Sequence, residues 1–191
     1  KLKNKIHSEI PLTAFMNIDI KNCDDKRLLT TAPLSMNSND KGTGFAGSLS
    51  TLATISGWGL CWLLTQEMGF KNTSIVILKS DISFTKPVTQ DLNCRTQIPN
   101  TQSLEILKNK LIRKGSGSIM IKSSISEDKN EFQNALNKAS LVVIFENNYF
   151  DDQLSLLENK KVVSFFSQNS PVCQKSKIAN QGATFLEKSR T

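Results

Sequence analysis

The longest feature of the hydropathy pattern is a run of 25 residues without a charged side chain. Between Lys41 and Glu67 the only ionisable group is the thiol of Cys61. Such a run is long enough to cross a bilayer. However, it contains many Ser, Thr and Gly residues and is flanked by strand-like sequence, so we interpret it as a buried helix rather than a membrane span.

Two sets of side chains recur along this helix. Bulky apolar groups come from Phe45, Leu49, Leu52, Leu60, Leu63 and Leu64. Small residues at helical spacing are Gly47, Ser50, Thr54, Gly57 and Cys61. A stripe of small residues allows a sheet or another backbone to approach closely, and Gly69 marks the predicted end of the helix. Trp58 and Trp62 are one turn apart and are expected to pack in the core or at a subunit seam.

The flanking sequence alternates between apolar and polar residues, as strands do. The predicted strands are Ala14–Lys21, Arg27–Leu34, Ser74–Lys86, Asp91–Ile98, Ser118–Ser126 and Ala135–Glu146. A further helix is predicted over Ser103–Lys114, where Leu104, Leu107 and Leu111 share one face. Two strands, a long helix and about four more strands predict an α+β fold in which an antiparallel sheet wraps around the helix. A doubly wound parallel sheet would need alternating helices, which the pattern lacks.

The pattern weakens towards the end of the chain, which suggests two regions. Residues 1–148 form the predicted domain, and residues 149–191 form an extension of uncertain structure. Within it, residues 149–161 are compatible with a short helix and residues 162–166 with a strand, followed by a polar tail.

Composition narrows the class of partner only slightly. The chain is 38% apolar and 21% charged, as in soluble globular proteins, and its net charge of +7 favours polyanionic partners. These include nucleic acid, anionic membranes, CoA phosphates and an acidic carrier protein, although an overall richness in Lys and Asn explains part of the charge. Because the lysines are dispersed and no basic–aromatic motif occurs, nucleic-acid binding is disfavoured.

Cysteine and histidine usage argues against a metal centre. The four cysteines have no metal-ligand spacing, and His7 is the only histidine. A disulfide framework is also not expected, and the chain opens without an apolar leader. We therefore expect no cofactor and a reducing, cytoplasmic location.

Candidate chemistry lies in the loop that leads into the buried helix. The N-terminus of a helix carries unpaired N–H groups and a partial positive charge, so it can hold an oxyanion or a carboxylate. Asn37 and Asn39 add amide donors, Thr43 is a candidate helix cap, and Ser48 falls in the first turn. Loop composition alone is equally consistent with a capped helix start that has no ligand.

The order of these residues is more specific than their composition. The motif Asn37-x-Asn39-x-x-Gly42-Thr43-x-Phe45-Ala46-Gly47-Ser48, with "IPLTAFM" before it and "ISFTKPVTQDLNC" after it, resembles the YiiD C-terminal domain family. The resemblance extends from about His7 to Asn147. It implies a hotdog fold, a homodimer with sites near the subunit seam, and an acyl thioester carried on the phosphopantetheine of CoA or acyl carrier protein (ACP). Some members of the family are malonyl-ACP decarboxylases that form acetyl-ACP.

Two reactions fit such a substrate. Hydrolysis needs a base to activate water, and because the helix has no carboxylate before Glu67, the candidate bases are Asp40 and Asp81. Decarboxylation needs no base for the C–C cleavage but requires hydrogen-bond donors for the enolate oxygen. The lack of a carboxylate in the helix before Glu67 therefore favours decarboxylation over hydrolysis. A third possibility is a non-catalytic module that binds acyl groups.

These considerations assign roles along the motif. Asn39 is the preferred polarising amide and Asn37 the second choice, while the backbones of Ala46, Gly47 and Ser48 supply oxyanion donors. Lys41 is a candidate for a carrier phosphate or simply a solvated lysine, and His7 is expected to be a surface residue. The remaining substrate-binding candidates are Gly42, Thr43, Phe45 and Asp81.

Overall fold

The structure is a computed structural model that describes residues 1–126 and 137–147. The predictions for residues 149–161, 162–166 and the polar tail lie outside these described residues. Within them the chain forms one six-stranded sheet and four α-helices.

Six strands, all paired antiparallel, form the sheet in the order β1-β2-β4-β5-β6-β3. Their bounds are β1 Asp19–Cys23, β2 Arg27–Ala32, β3 Thr73–Phe84, β4 Leu92–Gln97, β5 Ser116–Ser126 and β6 Asn137–Asn147. The strands after the central helix therefore lie close to their predicted positions. The tight turn between β1 and β2 is held by Asp24, whose Oδ1 accepts hydrogen bonds from the N–H groups of Lys26 and Arg27, both at 2.9 Å.

The central helix, α3, covers Ala46–Glu67 and confirms the interpretation of the uncharged run. Its 22 residues span about 33 Å. It packs against β2, β3, β4, β5 and β6, which explains why nearly every side of it is apolar. No helix within the described residues combines the length and apolar character that crossing a membrane requires.

The two faces of β5 show why alternating apolar and polar residues predicted a strand there. Ile119, Ile121 and Ile125 are buried, whereas Met120 and Lys122 between them are exposed. Because successive side chains point to opposite faces, one face joins the core and the other faces outwards.

Helix α4, Thr101–Lys114, also agrees with the prediction. The side chain of Asn100 caps it by accepting a hydrogen bond from the Ser103 N–H at 2.8 Å, and Gly115 ends it at φ 67°. Its buried face consists of Leu104, Leu107 and Leu111.

The N-terminal segment differs from the prediction. Two helices precede the sheet, α1 at Leu2–Glu9 and α2 at Pro11–Phe15, so the first half of the predicted strand Ala14–Lys21 was wrong. Pro11 at the first helical position favours a helical turn. The buried Thr13 hydroxyl stabilises it by bonding to the carbonyls of Ile6 and Ile10 at 3.0 and 2.8 Å.

The two N-terminal helices also pack on α3. Leu2 contacts the backbone of α3 at Gly59, where an added Cβ would be 3.3 Å from Leu2 Cδ2. The only histidine has a structural contact, since His7 Nε2 is 2.8 Å from the Ile18 carbonyl oxygen. Trp58 and Trp62 are partly buried against the core, and Trp58 Nε1 donates to the Ile75 carbonyl of β3 at 3.2 Å.

Candidate active site

The first turn of α3 has unpaired backbone donors that solvent can reach. Phe45 is the N-cap residue, with extended φ and ψ of −64° and 130°, and no side chain caps the helix. The first chain-internal bond is from the Leu49 N–H to the Phe45 carbonyl at 3.0 Å. The N–H groups of Ala46, Gly47 and Ser48 have no partner within the described part of the chain. Ala46 is exposed and the next two residues are partly exposed, so this turn presents three donors and a partial positive charge.

Asn37 holds the entrance loop together. It is only 2% exposed, and its Nδ2 donates to the carbonyls of Met16 and Pro33 at 3.0 and 2.8 Å. The backbone carbonyl of Asn37 accepts a hydrogen bond from the Phe45 N–H at 2.8 Å. Both amide hydrogens are therefore committed to protein carbonyls, and the remaining polar atom is the buried Oδ1, which has no hydrogen-bond partner among the described residues.

Asn39 organises the turn in front of the helix and keeps a donor. Its Oδ1 accepts from the N–H groups of Lys41 and Thr43 at 2.9 and 3.1 Å, and its Nδ2 donates to Thr43 Oγ1 at 3.0 Å. An amide nitrogen carries two hydrogens, so one N–H of Asn39 remains without a partner in the described residues. Gly42 completes the turn at φ 71°, a conformation that glycine adopts without strain.

The considered role of Thr43 as a helix cap was wrong. Phe45 occupies the N-cap position, and the Thr43 hydroxyl bonds to Asn39 instead. An Asn side chain readily bonds to backbone groups two to four residues ahead, and here this turn engages Thr43 before the helix begins.

Two contacts from the segment between β3 and β4 fix the loop from outside. The Gly44 N–H donates to the Val88 carbonyl at 2.7 Å, and the Leu34 N–H donates to Asp91 Oδ1 at 2.9 Å. No local pattern indicates these contacts, because each joins residues more than forty positions apart. They make the helix entrance a supported platform rather than a loose loop.

The Phe45 ring lies against the first turn of α3. A Cβ added at Gly47 would be 2.3 Å from Phe45 Cε1, so the ring occupies the space of a side chain at that position. Phe45 is 52% exposed, and its ring forms one side of the helix entrance.

The charged candidates lie on the surface. Asp40 and Lys41 are exposed, and the Lys41 side chain makes no bond within the described residues. Asp81 lies on β3 and pairs with Lys79, with Nζ and Oδ2 3.2 Å apart and both side chains at least 66% exposed. The structure therefore brings residues 37–48 together and leaves Asp81 on a different element. In the described ranges no three or more His, Cys, Asp or Glu side chains form a group suited to a metal ion.

An antiparallel sheet packed around one long helix is the architecture of the hotdog fold. The chain belongs to the YiiD C-terminal domain family, described as "Putative thioesterase (yiiD_Cterm)", whose model matches residues 1–143.

Solved structures agree with this class. A protein of unknown function from Chlorobaculum tepidum TLS is 27% identical, with a TM-score of 0.73 over 77% of this chain and 93% of that one. A "putative thioesterase" from Shewanella oneidensis is 26% identical, with a TM-score of 0.63 over 75% and 93%. A "probable thioesterase" from Pseudomonas aeruginosa shares the fold at 13% identity and a TM-score of 0.61, over 76% and 93%.

Proposed function

We propose that the protein acts on acyl thioesters carried on the phosphopantetheine of CoA or ACP, and that its favoured reaction converts malonyl-ACP into acetyl-ACP. The observation that carries this proposal is the first turn of α3, which has three unpaired backbone N–H groups and follows the turn in which Asn39 keeps a spare amide hydrogen. The family's description as a "putative thioesterase" and its relative from Shewanella oneidensis, a "putative thioesterase", support the same substrate class.

Decarboxylation matches the chemistry that this entrance offers. The C–C bond to the malonyl carboxylate breaks and carbon dioxide leaves. The electron pair passes to the α-carbon and the thioester oxygen as an enolate, which a solvent proton then converts into acetyl. Only the enolate oxygen needs stabilising donors, and one such donor is worth about 3–4 kcal/mol of barrier. Helix α3 provides donors without a base, because its first carboxylate, Glu67, is about 31 Å from the entrance.

The structure favours different roles for the two asparagines. We assign the polarising amide to Asn39, since it alone of the two has an N–H to donate. Asn37 instead fixes the position of the N-cap through its carbonyl bond to Phe45. Gly42 and Thr43 shape the turn that orients Asn39, and Lys41 is free to reach a phosphate of the carrier arm.

Hydrolysis is the second candidate, because the family is described as a "putative thioesterase". It would require Asp81 or Asp40 to deprotonate water. Both carboxylates are exposed, and Asp81 is paired with Lys79 at the surface, away from the entrance of α3. This arrangement gives hydrolysis less support than decarboxylation.

We further propose that the protein is a homodimer joined along β3. This strand has 12 residues and lies at the edge of the sheet formed by the described strands, so one side of it has no neighbouring strand there. It also exposes Val76, Leu78 and Phe84 at 53%, 64% and 50%. A long edge strand with exposed apolar side chains is a template for pairing with a second copy. Sedimentation equilibrium tests this assembly, and a monomer at all concentrations would contradict it.

A substrate panel with the wild-type protein distinguishes the candidate reactions. The purified protein is incubated with malonyl-ACP, malonyl-CoA and a series of acyl-CoAs, and the carrier products are identified by mass spectrometry. Acetyl-ACP supports decarboxylation, whereas a free carrier thiol would identify a hydrolase. Saturable binding without any product would identify a non-catalytic acyl-binding module.

A further inference from the structure

The seat of the Phe45 ring on Gly47 explains why the helix begins with a glycine in its first turn. Besides the 2.3 Å approach of Cε1, the Cζ and Cδ1 atoms lie 2.9 and 3.0 Å from the Cβ position at Gly47. Ordinary van der Waals contact begins at 3.4 Å. Any side chain at this position would therefore displace the ring by at least about 1 Å.

The backbone of Phe45 is fixed while its ring faces solvent. The N–H donates to the Asn37 carbonyl at 2.8 Å, and the carbonyl accepts from the Leu49 N–H at 3.0 Å. Only the side-chain torsions remain free, and about half of the residue's surface is exposed. A large apolar surface beside three open N–H donors offers a contact for the apolar part of a ligand whose oxygen is held by those donors.

We propose that Phe45 is a specificity-determining residue whose ring, seated on Gly47, packs against the acyl group and selects short acyl groups over long ones. This inference rests on the proposed function, because it takes the thioester oxygen to be held at the first turn of α3. The ring borders the space next to that oxygen, so its position sets how much acyl chain fits there. A single methylene too many at such a wall changes binding by roughly tenfold or more.

Gly47→Ala is a selective probe of this contact. Alanine is a better helix former than glycine, so the substitution does not weaken the helix itself. The clash is with the outer atoms of one ring, which can rotate away, and not with backbone. The N–H groups are kept, and the part of the effect that passes through the Phe45 ring is the part that disappears in the Phe45→Ala background.

The test is a double-mutant cycle measured by binding rather than turnover. Wild type, Phe45→Ala, Gly47→Ala and the double variant are titrated calorimetrically with ketone analogues of acetyl-CoA, butyryl-CoA and octanoyl-CoA, in which a methylene group replaces the thioester sulfur and the carbonyl oxygen is kept. Ile106→Ala, which removes a side chain of similar exposure from α4, is the matched control. Thermal unfolding confirms that each variant is folded.

We expect wild type to bind the acetyl analogue more tightly than the octanoyl analogue. Phe45→Ala should shift the ratio of the two dissociation constants by about tenfold or more towards octanoyl. Gly47→Ala should weaken binding of the acetyl analogue when Phe45 is present. In the Phe45→Ala background it should change the dissociation constant of that analogue by less than about twofold. The control should keep the wild-type ratio.

Three results would overturn the inference. These are no binding of any analogue by wild type, an unchanged ratio in Phe45→Ala, or an equal effect of Gly47→Ala with and without the ring. Failure of the proposed function has a different signature, namely ring-dependent selection among the analogues by a protein that turns over no thioester.

Discussion

Ser56 ties the middle of α3 to the sheet through a buried hydroxyl pair. The Ser56 hydroxyl donates to the Leu52 carbonyl at 2.6 Å and accepts from the Thr30 hydroxyl of β2. Both side chains are at most 1% exposed. Beside them, burial raises the pKa of the Cys94 thiol, partly offset by hydrogen bonds from the surrounding hydroxyls, including those of Ser56 and Thr30.

Ser56→Ala should destabilise the protein by about 2 kcal/mol. The substitution leaves the Thr30 hydroxyl buried without this partner, and an unsatisfied buried polar group costs about 1–3 kcal/mol. Thr30→Val should cost less, about 1 kcal/mol, because the Ser56 hydroxyl keeps its hydrogen bond to the Leu52 carbonyl. In the double variant both polar groups are gone, so the loss should be about 1–2 kcal/mol smaller than the sum of the single losses.

Urea denaturation followed by circular dichroism measures this coupling. The slope of the unfolding free energy with urea should stay constant, so that the midpoint alone reports stability. Ser118→Ala, on the exposed face of β5, is the matched control and should change stability by no more than about 0.5 kcal/mol. Additive single losses, with coupling below about 0.5 kcal/mol, would refute the reasoning that the pair acts as a unit.

Three further predictions concern other parts of the chain. Asn100→Ala should lower the unfolding free energy by about 0.5–2 kcal/mol in urea denaturation, because α4 loses its cap, and an unchanged midpoint would contradict that role. Burial raises the pKa of Asp19, but hydrogen bonds from Lys21 and Lys3 outweigh it and lower the pKa from 3.8 to about 2. The folded pKa is thus below the unfolded one, so the stabilisation is present above pH 4 and is lost as pH falls towards 2. Asp19→Asn should lack this part of the acid dependence in unfolding measured across that range. Iodoacetamide should spare the buried thiols of Cys61 and Cys94 until urea unfolds the protein, and peptide mapping that finds either one alkylated under native conditions would show that the core opens.

The pattern of the chain predicted the parts of the fold that depend on local periodicity. The absence of charge between Lys41 and Glu67 was sufficient to locate α3, because only a core can surround such a helix. The strands after it followed from alternation, and α4 followed from leucines at helical spacing. These features repeat over several turns or residue pairs, so a single exception does not hide them.

The features that were missed depend on single contacts between distant residues. α1 buries only Leu2 and Ile6, which is too sparse a pattern to stand out. The helix entrance is held by Val88 and Asp91, and neither residue type suggests its partner in the sequence. The same holds for the ring of Phe45, whose seat on Gly47 requires the geometry of the helix start. The motif therefore located the candidate site. The structure was needed to show that both amide hydrogens of Asn37 are bonded to protein carbonyls, whereas Asn39 keeps one N–H without a partner in the described residues.

In the proposed reaction, Asn39 and the open N-terminus of α3 together stabilise an enolate oxygen. The most direct measurement is the rate of acetyl-ACP formation from malonyl-ACP, followed by mass spectrometry of the intact carrier, for wild type, Asn39→Ala and the distant control Asn100→Ala. We predict that acetyl-ACP forms with wild type and the control, and that Asn39→Ala slows its formation by about 10²–10³-fold while remaining folded. Release of free carrier thiol by wild type, or an equal rate for Asn39→Ala and wild type, would contradict the claim.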